Sequence, residues 1–517
     1  MRRLFRAPNI VAQSGSGRIS KAYARYAVVL LALINIVNYL DRNVIFVLFE
    51  PIKRDLGLTD TQLGWLGAAF VIVFSLAAIP LGILSDLKSR RAVIAGGVMV
   101  WSVFTALGGL TRNFFQLFVC RSMVGVGEAA YSPAAQSLIA DFFPSKGRAL
   151  ALGIFSGGLA LGGVAGIWLG GELEHLYGWR AAFLAVGIPG FVLAMLVAQL
   201  RDPTRYAGKE SLWSVIRRFE LTVWRFLKVT WPLSLSAALG AIAAYLVQRA
   251  PLGAGEVDLQ RPDLDAAVFS IAVGIGLVVQ VTLGVRAVLR RRHEPRAVRS
   301  HRVEDLIEAA GVVLRTPTLV WLFLGSAMIS FAMNGLVGWS PTYLQREMGL
   351  IPQTAGRTIG IWGLAGAILG VLFGGQLADS LKERFRGGRI IAGAAGFIMG
   401  APLAIWLLTI DDLELFIPVF FITMFFFTWY HGPMSAAIFD VIPPQIGASV
   451  IGAYVFFTHI AGDAVAFPLV GFLSDRVGIR LAMMVLPFMA FAGGGVALVA
   501  TLTVGKDMNR VGGATAG

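Results

Sequence analysis

The sequence predicts an all-α polytopic membrane protein, and three observations carry this prediction. Of its 517 residues, 56% are hydrophobic and only 14% are charged, whereas soluble domains average about 25% charged residues. Apolar segments of roughly 20 residues, the length that crosses the hydrocarbon core of a bilayer, recur along the chain. Most of the 44 Lys and Arg residues lie in the loops between these segments.

The apolar segments fall into an early set of six, a late set of six and a pair between them. The early set covers about 26–49, 61–85, 92–110, 114–140, 147–171 and 180–200. The late set covers about 317–344, 356–380, 388–411, 415–441, 447–474 and 479–504. The pair, at 229–248 and 265–288, is predicted to form an inserted transmembrane hairpin. The chain is thus predicted to make 14 spans in the order 6+2+6.

Loop charge predicts the orientation. With a cytoplasmic N-terminus and a crossing at each segment, 32 of the 44 Lys and Arg residues lie on the cytoplasmic side. Such an excess is typical of cytoplasmic loops. We therefore expect a multi-pass protein of the inner (plasma) membrane with both termini in the cytoplasm. The basic first 25 residues lack an apolar core, so they predict a cytoplasmic arm rather than a cleavable signal peptide.

The predicted spans divide the chain into six parts. These are an N-terminal arm (1–25), a six-helix bundle (26–200), an inserted region with two further spans (201–288), a basic linker (289–316), a second six-helix bundle (317–504) and a tail (505–517). In the linker, apolar residues recur at helical spacing from Val303 to Leu314. This pattern favours an amphipathic helix on the membrane surface, with an ordinary solvated linker as the alternative.

Several functional classes find no support in the sequence. The net charge of +14 is not accompanied by a nucleic-acid-binding motif, so we expect no nucleic-acid partner. Cys120 is the single cysteine, and the chain has no metal-spaced Cys or His cluster, nucleophile elbow or phosphate-binding loop. We expect a monomer that is not an enzyme and needs no metal or cofactor. Its expected partners are membrane lipids, protons and a small-molecule or lipid-like substrate.

A loop motif follows the second span. The letters G-I-L-S-D-L-K-S-R-R begin at Gly82 and resemble the pattern G-x-x-x-D-R-x-G-R-[RK] of the major facilitator superfamily, from which Leu87 and Ser89 depart. A weaker copy at 375–379 indicates an internal repeat. We expect a glycine without a side chain to let the helix end approach a neighbour closely. The residues expected to form a cytoplasmic latch are Gly82, Asp86, Arg90 and Arg91.

Two further motifs resemble the same superfamily. The fourth span carries Arg121, Gly125 and Gly127 in the pattern R-x-x-x-G-x-G, and Gly178-Trp179-Arg180 leads into the sixth. The resemblance implies the major facilitator fold, two six-helix bundles, with the hairpin as an insertion.

Within the superfamily, the chain resembles a bacterial member of the Spinster family. The matching segments are 38–42 (N-Y-L-D-R), 126–132 (V-G-E-A-A-Y-S), 138–141 (L-I-A-D) and 458–464 (T-H-I-A-G-D-A). The resemblance covers the twelve spans of the ordinary plan and leaves out the hairpin. It implies proton coupling and, from the eukaryotic members, lysolipids or sphingosine phosphate as the substrate class.

Four ionisable residues lie within the early spans, where a charge is costly unless it has a partner or a function. Asp41 and Arg42 are in span 1, and Arg121 and Glu128 share one face of span 4. The four can pair across helices. Together with the resemblance, this predicts Asp41 and Glu128 as proton-coupling groups and Arg42 and Arg121 as charge partners or substrate ligands. Static structural ion pairs are the alternative.

Other polar and aromatic residues within the spans are candidates for lining a cavity. His459 and Asp463 are four residues apart, so they could pair on one helical face. The aromatic run around Trp429 could line a cavity or face lipid. The candidates are Asn35, Asn38, Tyr131, Asn334, Trp429, Tyr430, His431, His459 and Asp463.

The sequence therefore predicts a proton-coupled secondary active transporter that works by alternating access and carries lysolipids or related amphiphiles. A transporter of small organic anions is an alternative, because an arginine-lined cavity suits a carboxylate as well as a phosphate. A membrane-embedded receptor or enzyme is a further alternative, which the 6+6 repeat disfavours.

Overall fold

A computed structural model describes residues 20–87, 89–143, 145–200, 311–443 and 446–515, together with single positions between 231 and 283. These residues form helices, and no β-strand occurs among them. The first half contains α1 (Lys21–Val47), α2 (Phe49–Leu56), α3 (Asp60–Leu87), α4 (Arg90–Gly108), α5 (Phe114–Phe142) and α6 (Ser145–Ala198).

The second half is also helical. It contains α7 (Pro317–Glu347), α8 (Pro352–Arg357), α9 (Gly363–Arg384), α10 (Gly388–Leu407), α11 (Leu413–Phe427), α12 (His431–Asp440), α13 (Gly447–Thr458), α14 (Ala464–Val477), α15 (Ile479–Met483), α16 (Val485–Val499) and α17 (Thr501–Thr515). Two π-helical turns, Thr358–Trp362 and His459–Asp463, join α8 to α9 and α13 to α14. The predicted tail, 505–517, is therefore helical as far as Thr515, as part of α17.

Ten helices in the described ranges are long and apolar enough to cross a membrane. Helix α5 has 29 residues but is not among the ten, because Arg121 and Glu128 lower its mean hydropathy. The ten candidates confirm an all-α polytopic fold. The count of 14 spans remains a prediction.

Helix α6 differs from its prediction, because the chain stays helical through the expected loop between spans 5 and 6. A straight α-helix of 54 residues would extend about 81 Å, far beyond a core about 30 Å thick. The chain changes direction at Gly178, whose φ of 80° is outside the α-helical region. Before this point α6 packs on α1 through Gly162, and after it on α4 through Gly187.

The predicted hairpin lies mostly outside the described residues. The described positions within 231–246 and 268–283 are helical. Gly240 faces Phe269 and Ala272, so the two predicted helices meet there. The Phe269 ring also lies 4.7 Å from that of Trp65 in α3 and 5.7 Å from that of Phe118 in α5. Residues 1–19 and most of the linker lie outside the described part as well, although 311–315 are helical.

The two halves repeat the same loop geometry. Arg180, at the start of the last long helical segment of the first half, pairs with Asp55 in the last turn of α2. In the second half, Arg480 lies in the matching place, and its Nε is 2.9 Å from Oε2 of Glu347. Left-handed glycines occur at equivalent turns of the two halves: Gly57 and Gly349 (φ 64° each), and Gly178 and Gly478 (φ 80° and 83°). The structure therefore contains the internal repeat that the loop motif indicates.

The halves are joined at one end of the bundle, where α1 ends and α3 begins; we call this the closed end. Arg346 of α7 pairs there with Glu50 and with Asp60, whose Oδ1 lies 2.6 Å from Nη2. The carboxylate of Asp475 accepts hydrogen bonds of 2.8 Å from the backbone N–H groups of Asp60 and Thr61. Asp475 thus caps α3 from the other half, a favourable place for a negative charge.

At the opposite end, which we call the open end, the ion pairs between described residues stay within one half. They are Arg90–Asp141 in the first half and Lys382–Asp440, Arg389–Asp440, Arg389–Asp379 and Arg510–Asp507 in the second. The expected close approach at Gly82 is not made in this conformation, because a Cβ built there would meet nothing within 4 Å. Its counterpart Gly375 is equally open. In this conformation neither glycine lies at a close helix approach.

Candidate functional site

The candidate site forms where α5 packs between α3 and α4. A Cβ built on Gly127 would lie 2.6 Å from the backbone nitrogen of Trp101 in α4, and one on Gly125 would lie 2.8 Å from the carbonyl of Phe70 in α3. Real side chains do not fit at these distances, so the two glycines allow the helices to touch. This close packing places the ionisable residues of α5 against the C-terminal third of α1, where Asp41 and Arg42 lie.

The first cross-helix ion pair joins α1 to α5. Nε of Arg42 lies 2.6 Å from Oε2 of Glu128. The Glu128 side chain is 0% exposed, whereas the Arg42 side chain retains 15% exposure. A buried carboxylate is therefore held by a cation that still reaches the space between the halves.

In the second ion pair, α5 contributes the arginine and α1 contributes the acid. Nη1 of Arg121 in α5 lies 3.7 Å from Oδ1 of Asp41 in α1, and Thr105 of α4 donates a hydrogen bond to the other carboxylate oxygen. The Arg121 guanidinium also donates to the backbone carbonyls of Asp41 and Arg42, at 3.4 and 3.5 Å. Each helix thus contributes one acid and one base, and each acid pairs with the base of the other helix.

The ion pairs leave polar atoms unsatisfied. Oδ1 of Asp41, Oε1 of Glu128 and Nε of Arg121 are buried and have no hydrogen-bond partner among the described residues. Nδ2 of Asn38, one helical turn before Arg42, is also buried without a hydrogen-bond partner among the described residues. Leaving such atoms unpaired costs free energy. A proton or a polar group of a ligand that pairs with these atoms would therefore be stabilised here.

Aromatic rings surround the Arg42 guanidinium. Its Cζ lies 4.8 Å from the ring centroid of Tyr39, 4.9 Å from that of Phe70 and 4.4 Å from that of Phe74. Cation–π contacts of this kind stabilise a partly desolvated cation. We call Tyr39, Phe70 and Phe74 the aromatic box. Phe70 and Phe74 were not predicted as site residues, because phenylalanines in an apolar helix carry no functional signal in the sequence.

The second half presents Asp463 toward this region. Its carboxylate accepts hydrogen bonds from the hydroxyl of Ser330 and from Nδ2 of Asn334, the latter at 2.9 Å. The expected pair with His459 does not form, since the π-helical turn holds Asp463 against α7. His459 instead stacks on Phe74 of the aromatic box, with ring centroids 6.2 Å apart. The Phe74 ring therefore lies between the Arg42 guanidinium, 4.4 Å from its centroid, and His459 of the second half.

Several expected cavity residues hold helices together instead. Nδ2 of Asn35 donates to the carbonyl of Phe155 at 2.8 Å, and the hydroxyl of the fully buried Tyr131 donates to the carbonyl of Leu31. In the second half, Trp429 and Tyr430 are buried as well. Trp429 packs against Gly374 and Gly396, and Tyr430 contacts Phe397. His431 is exposed and lies against the Tyr430 ring.

The family follows from comparison with known proteins. The model of the Major Facilitator Superfamily matches residues 31–284 and 265–462, which is more than half of the chain. The chain belongs to the Major Facilitator Superfamily.

Relatives within the superfamily confirm the Spinster resemblance. The chain is 28% identical over 452 residues to an MFS-type efflux pump of Mycolicibacterium smegmatis, covering 87% of this chain and 84% of the relative. It is 23% identical over 522 residues to protein spinster homolog 1 of Xenopus tropicalis, covering 95% and 83%. The fold is similar to the crystal structure of a bacterial homologue of the human lysosomal transporter Spinster, inward-facing and unoccupied. That match has a TM-score of 0.69 and 21% identity, and it covers 95% of this chain and 99% of the other.

The superfamily loop motif lies at the open end. Arg90 begins α4 and binds the carboxylate of Asp141 and the carbonyl of Ser137, while Arg91 donates to the carbonyl of Leu200 at 3.0 Å. Both arginines therefore tie helices of the first half to each other. The side chain of Asp86 lies outside the described residues.

Proposed function

We propose that this superfamily member is a proton-coupled secondary transporter of amphiphilic molecules that works by alternating access. The observation that carries the proposal is the pair of crossed ion bridges, Arg42–Glu128 and Arg121–Asp41, which lie beside unsatisfied carboxylate oxygens inside the first half. We place the protein in the plasma membrane, and loop charge supports an orientation with both termini in the cytoplasm.

The contacts between the halves support alternating access. Every hydrogen bond and ion pair that joins described residues of the two halves lies at the closed end, around Arg346, Asp475 and the pair Arg357–Glu172. In the proposed orientation this end is extracellular, and the open end faces the cytoplasm. Rocking of one half against the other would break the closed-end contacts and bring the open ends together.

The coupling step would act through Glu128. In the structure its negative charge holds Arg42, the only cation of the site with appreciable exposure. Protonation of Glu128 would remove that charge and leave Arg42 free to bind an anionic group on a substrate. Asp41 would play the same part for Arg121. A proton can shift an equilibrium between two states only if it binds them with different affinity, and breaking an ion pair in one state supplies that difference.

The site supports a substrate with an anionic group and an apolar body. Arg42 offers a guanidinium suited to a phosphate or carboxylate, and the aromatic box beside it offers apolar surface. Lysolipids combine both features. A small organic anion remains the second candidate, since the guanidinium alone would bind it.

Uptake into proteoliposomes tests the proposal. The wild-type protein, given an imposed proton gradient, should concentrate a lysophosphatidylglycerol above the level that empty liposomes take up. A sugar acid offered in parallel tests the alternative. Accumulation of the sugar acid alone would favour the organic-anion function, and accumulation of neither probe in response to the gradient would contradict proton-coupled transport of this substrate range.

The loop motif has a proposed role in the same cycle. With Gly82, Asp86, Arg90 and Arg91 at the end that must close, the motif would hold the cytoplasmic ends together in the outward-facing state. In that state Gly82 would meet the other half, which it does not touch here.

A further inference from the structure

A cleft at the open end of the second half lies apart from the transport site. It forms between the end of α9, the start of α10 and the helix α17. Its lining includes Arg384, Phe385, Arg386, Leu502, Lys506 and Asn509. The candidate membrane spans Pro352–Arg384 and Gly388–Leu407 end and begin at this cleft, so it lies at the boundary between the bilayer core and water.

The cleft carries three cations without neutralising acids. Arg384, Arg386 and Lys506 are exposed, and no acidic residue belongs to the described lining. The only side-chain partner of Arg386 among the described residues is neutral, since its Nη1 donates to Oδ1 of Asn509 at 3.0 Å.

Two carboxylates of the second half, the partly buried Asp440 and the buried Asp507, already have other partners. Asp440 binds Lys382 and Arg389, with distances of 2.7 and 2.9 Å. Asp507 accepts from the backbone nitrogen and hydroxyl of Thr318 and lies 3.3 Å from Arg510. The positive charge of the cleft is therefore available to an external anion.

Two apolar side chains flank these cations. Leu502 is 77% exposed and Phe385 is 56% exposed. An apolar side chain at the membrane boundary is stable when acyl chains cover it, whereas a soluble anion would leave it in water. The combination of unpaired cations and uncovered apolar groups matches both parts of a phospholipid.

We propose that this cleft binds the headgroup of an anionic phospholipid, with Arg384, Arg386 and Lys506 on the phosphate and with Phe385 and Leu502 against the acyl chains. Basic pockets between transmembrane helices at a membrane surface bind such headgroups, and each Lys or Arg contributes to the attraction. The bound lipid would join α9, α10 and α17, and it would remain there while the transport site empties and refills.

Native mass spectrometry of the purified full-length protein tests the proposal, with dioleoyl phosphatidylglycerol and dioleoyl phosphatidylcholine as probes. Phosphatidylglycerol should bind the wild type about tenfold more tightly than phosphatidylcholine. The variant Arg384→Gln/Arg386→Gln/Lys506→Gln should lose this preference. The matched control Arg25→Gln/Arg148→Gln/Arg315→Gln removes three exposed cations from the same end of the bundle and should keep it.

Two further measurements separate a lipid site from other outcomes. Phe385→Ser/Leu502→Ser should weaken phosphatidylglycerol binding while all three cations remain. Arg384→Lys/Arg386→Lys should preserve this binding, because it keeps the positive charges. This result would show that the loss in the glutamine variant comes from the missing charge and not from misfolding. Equal phosphatidylglycerol binding by the wild type and the triple glutamine variant would overturn the proposal. Competition by glycerol 3-phosphate at the same concentration as the lipid would also overturn it, because the site would then recognise a soluble anion.

Discussion

Nε of Arg42 lies 2.6 Å from Oε2 of Glu128, so a cation of α1 and a fully buried acid of α5 form one bridge. A buried ion pair adds little net stability, but removal of one partner leaves an uncompensated charge. A bridge of this kind is therefore a poor stabiliser and a good switch. Its partner bridge, Arg121–Asp41, joins the same two helices.

The geometry of Arg42 predicts that its charge alone is not sufficient. Arg42→Lys keeps the positive charge but loses the planar fork and much of the contact with three aromatic rings. We expect substrate binding to weaken by about tenfold or more in Arg42→Lys. Arg42→Gln should weaken it further, because it also leaves Glu128 unpaired. Thermal stabilisation of the purified protein by the transported probe, titrated against each variant, gives the affinity. Equal affinities for wild type and Arg42→Lys would exclude the guanidinium as a substrate ligand.

The contact between α4 and α5 predicts a packing defect. Gly127→Ala would bring a Cβ to 2.6 Å from the backbone nitrogen of Trp101. Backbone cannot yield easily, so we expect a loss of about 1–3 kcal/mol and a lower melting temperature in detergent. Gly96→Ala in α4 is the matched control, since a Cβ there meets nothing within 4 Å. A melting temperature for Gly127→Ala equal to that of the control would show that the helices are not in this contact.

The closed end predicts a conformational shift. Arg346→Gln would leave Glu50 without its main cation, although Lys53 would still contact Asp60 at 2.6 Å. The cost of a buried unpaired carboxylate, about 3 kcal/mol, falls only on the state in which this end is closed. We therefore expect the variant to populate the state that opens there.

Distances between spin labels measure this shift. Labels at Leu176→Cys and Leu481→Cys, on exposed sites of opposite halves, in a Cys120→Ala background, should move apart in Arg346→Gln. Arg476→Gln is the control, because Arg476 stacks on Phe472 within its own helix. An unchanged distance distribution in Arg346→Gln would mean that Arg346 does not hold the halves together.

The sequence predicted the four charged residues of the site because a charge in an apolar helix is conspicuous. It did not predict their pairing. Whether Arg42 meets Glu128 or Asp41 depends on the rotation of α1 against α5, which the glycines of α5 set by their contacts with α3 and α4. The spacing of residues within one helix does not show how that helix is rotated against its neighbour.

Other parts of the account were hidden from the sequence for different reasons. Arg346 and Asp475 lie close to loops, where charges are usually solvated, so nothing distinguished the residues that join the halves. His459 and Asp463 have the spacing of a helical pair, but the π-helical turn and the hydrogen bonds from Ser330 and Asn334 give Asp463 other partners. Tertiary packing decided both cases.

The most direct test of the central claim is substrate-driven proton movement, read from a pH-sensitive dye trapped in proteoliposomes. When the probe that wild type accumulates is added, wild type should change the internal pH. Asp41→Asn and Glu128→Gln should abolish or strongly reduce that change, since neither amide can take up a proton. Asp411→Asn, at an exposed acid outside the site, should behave as wild type. If both site variants still move protons with the probe at the wild-type rate, the crossed ion bridges are not the coupling element.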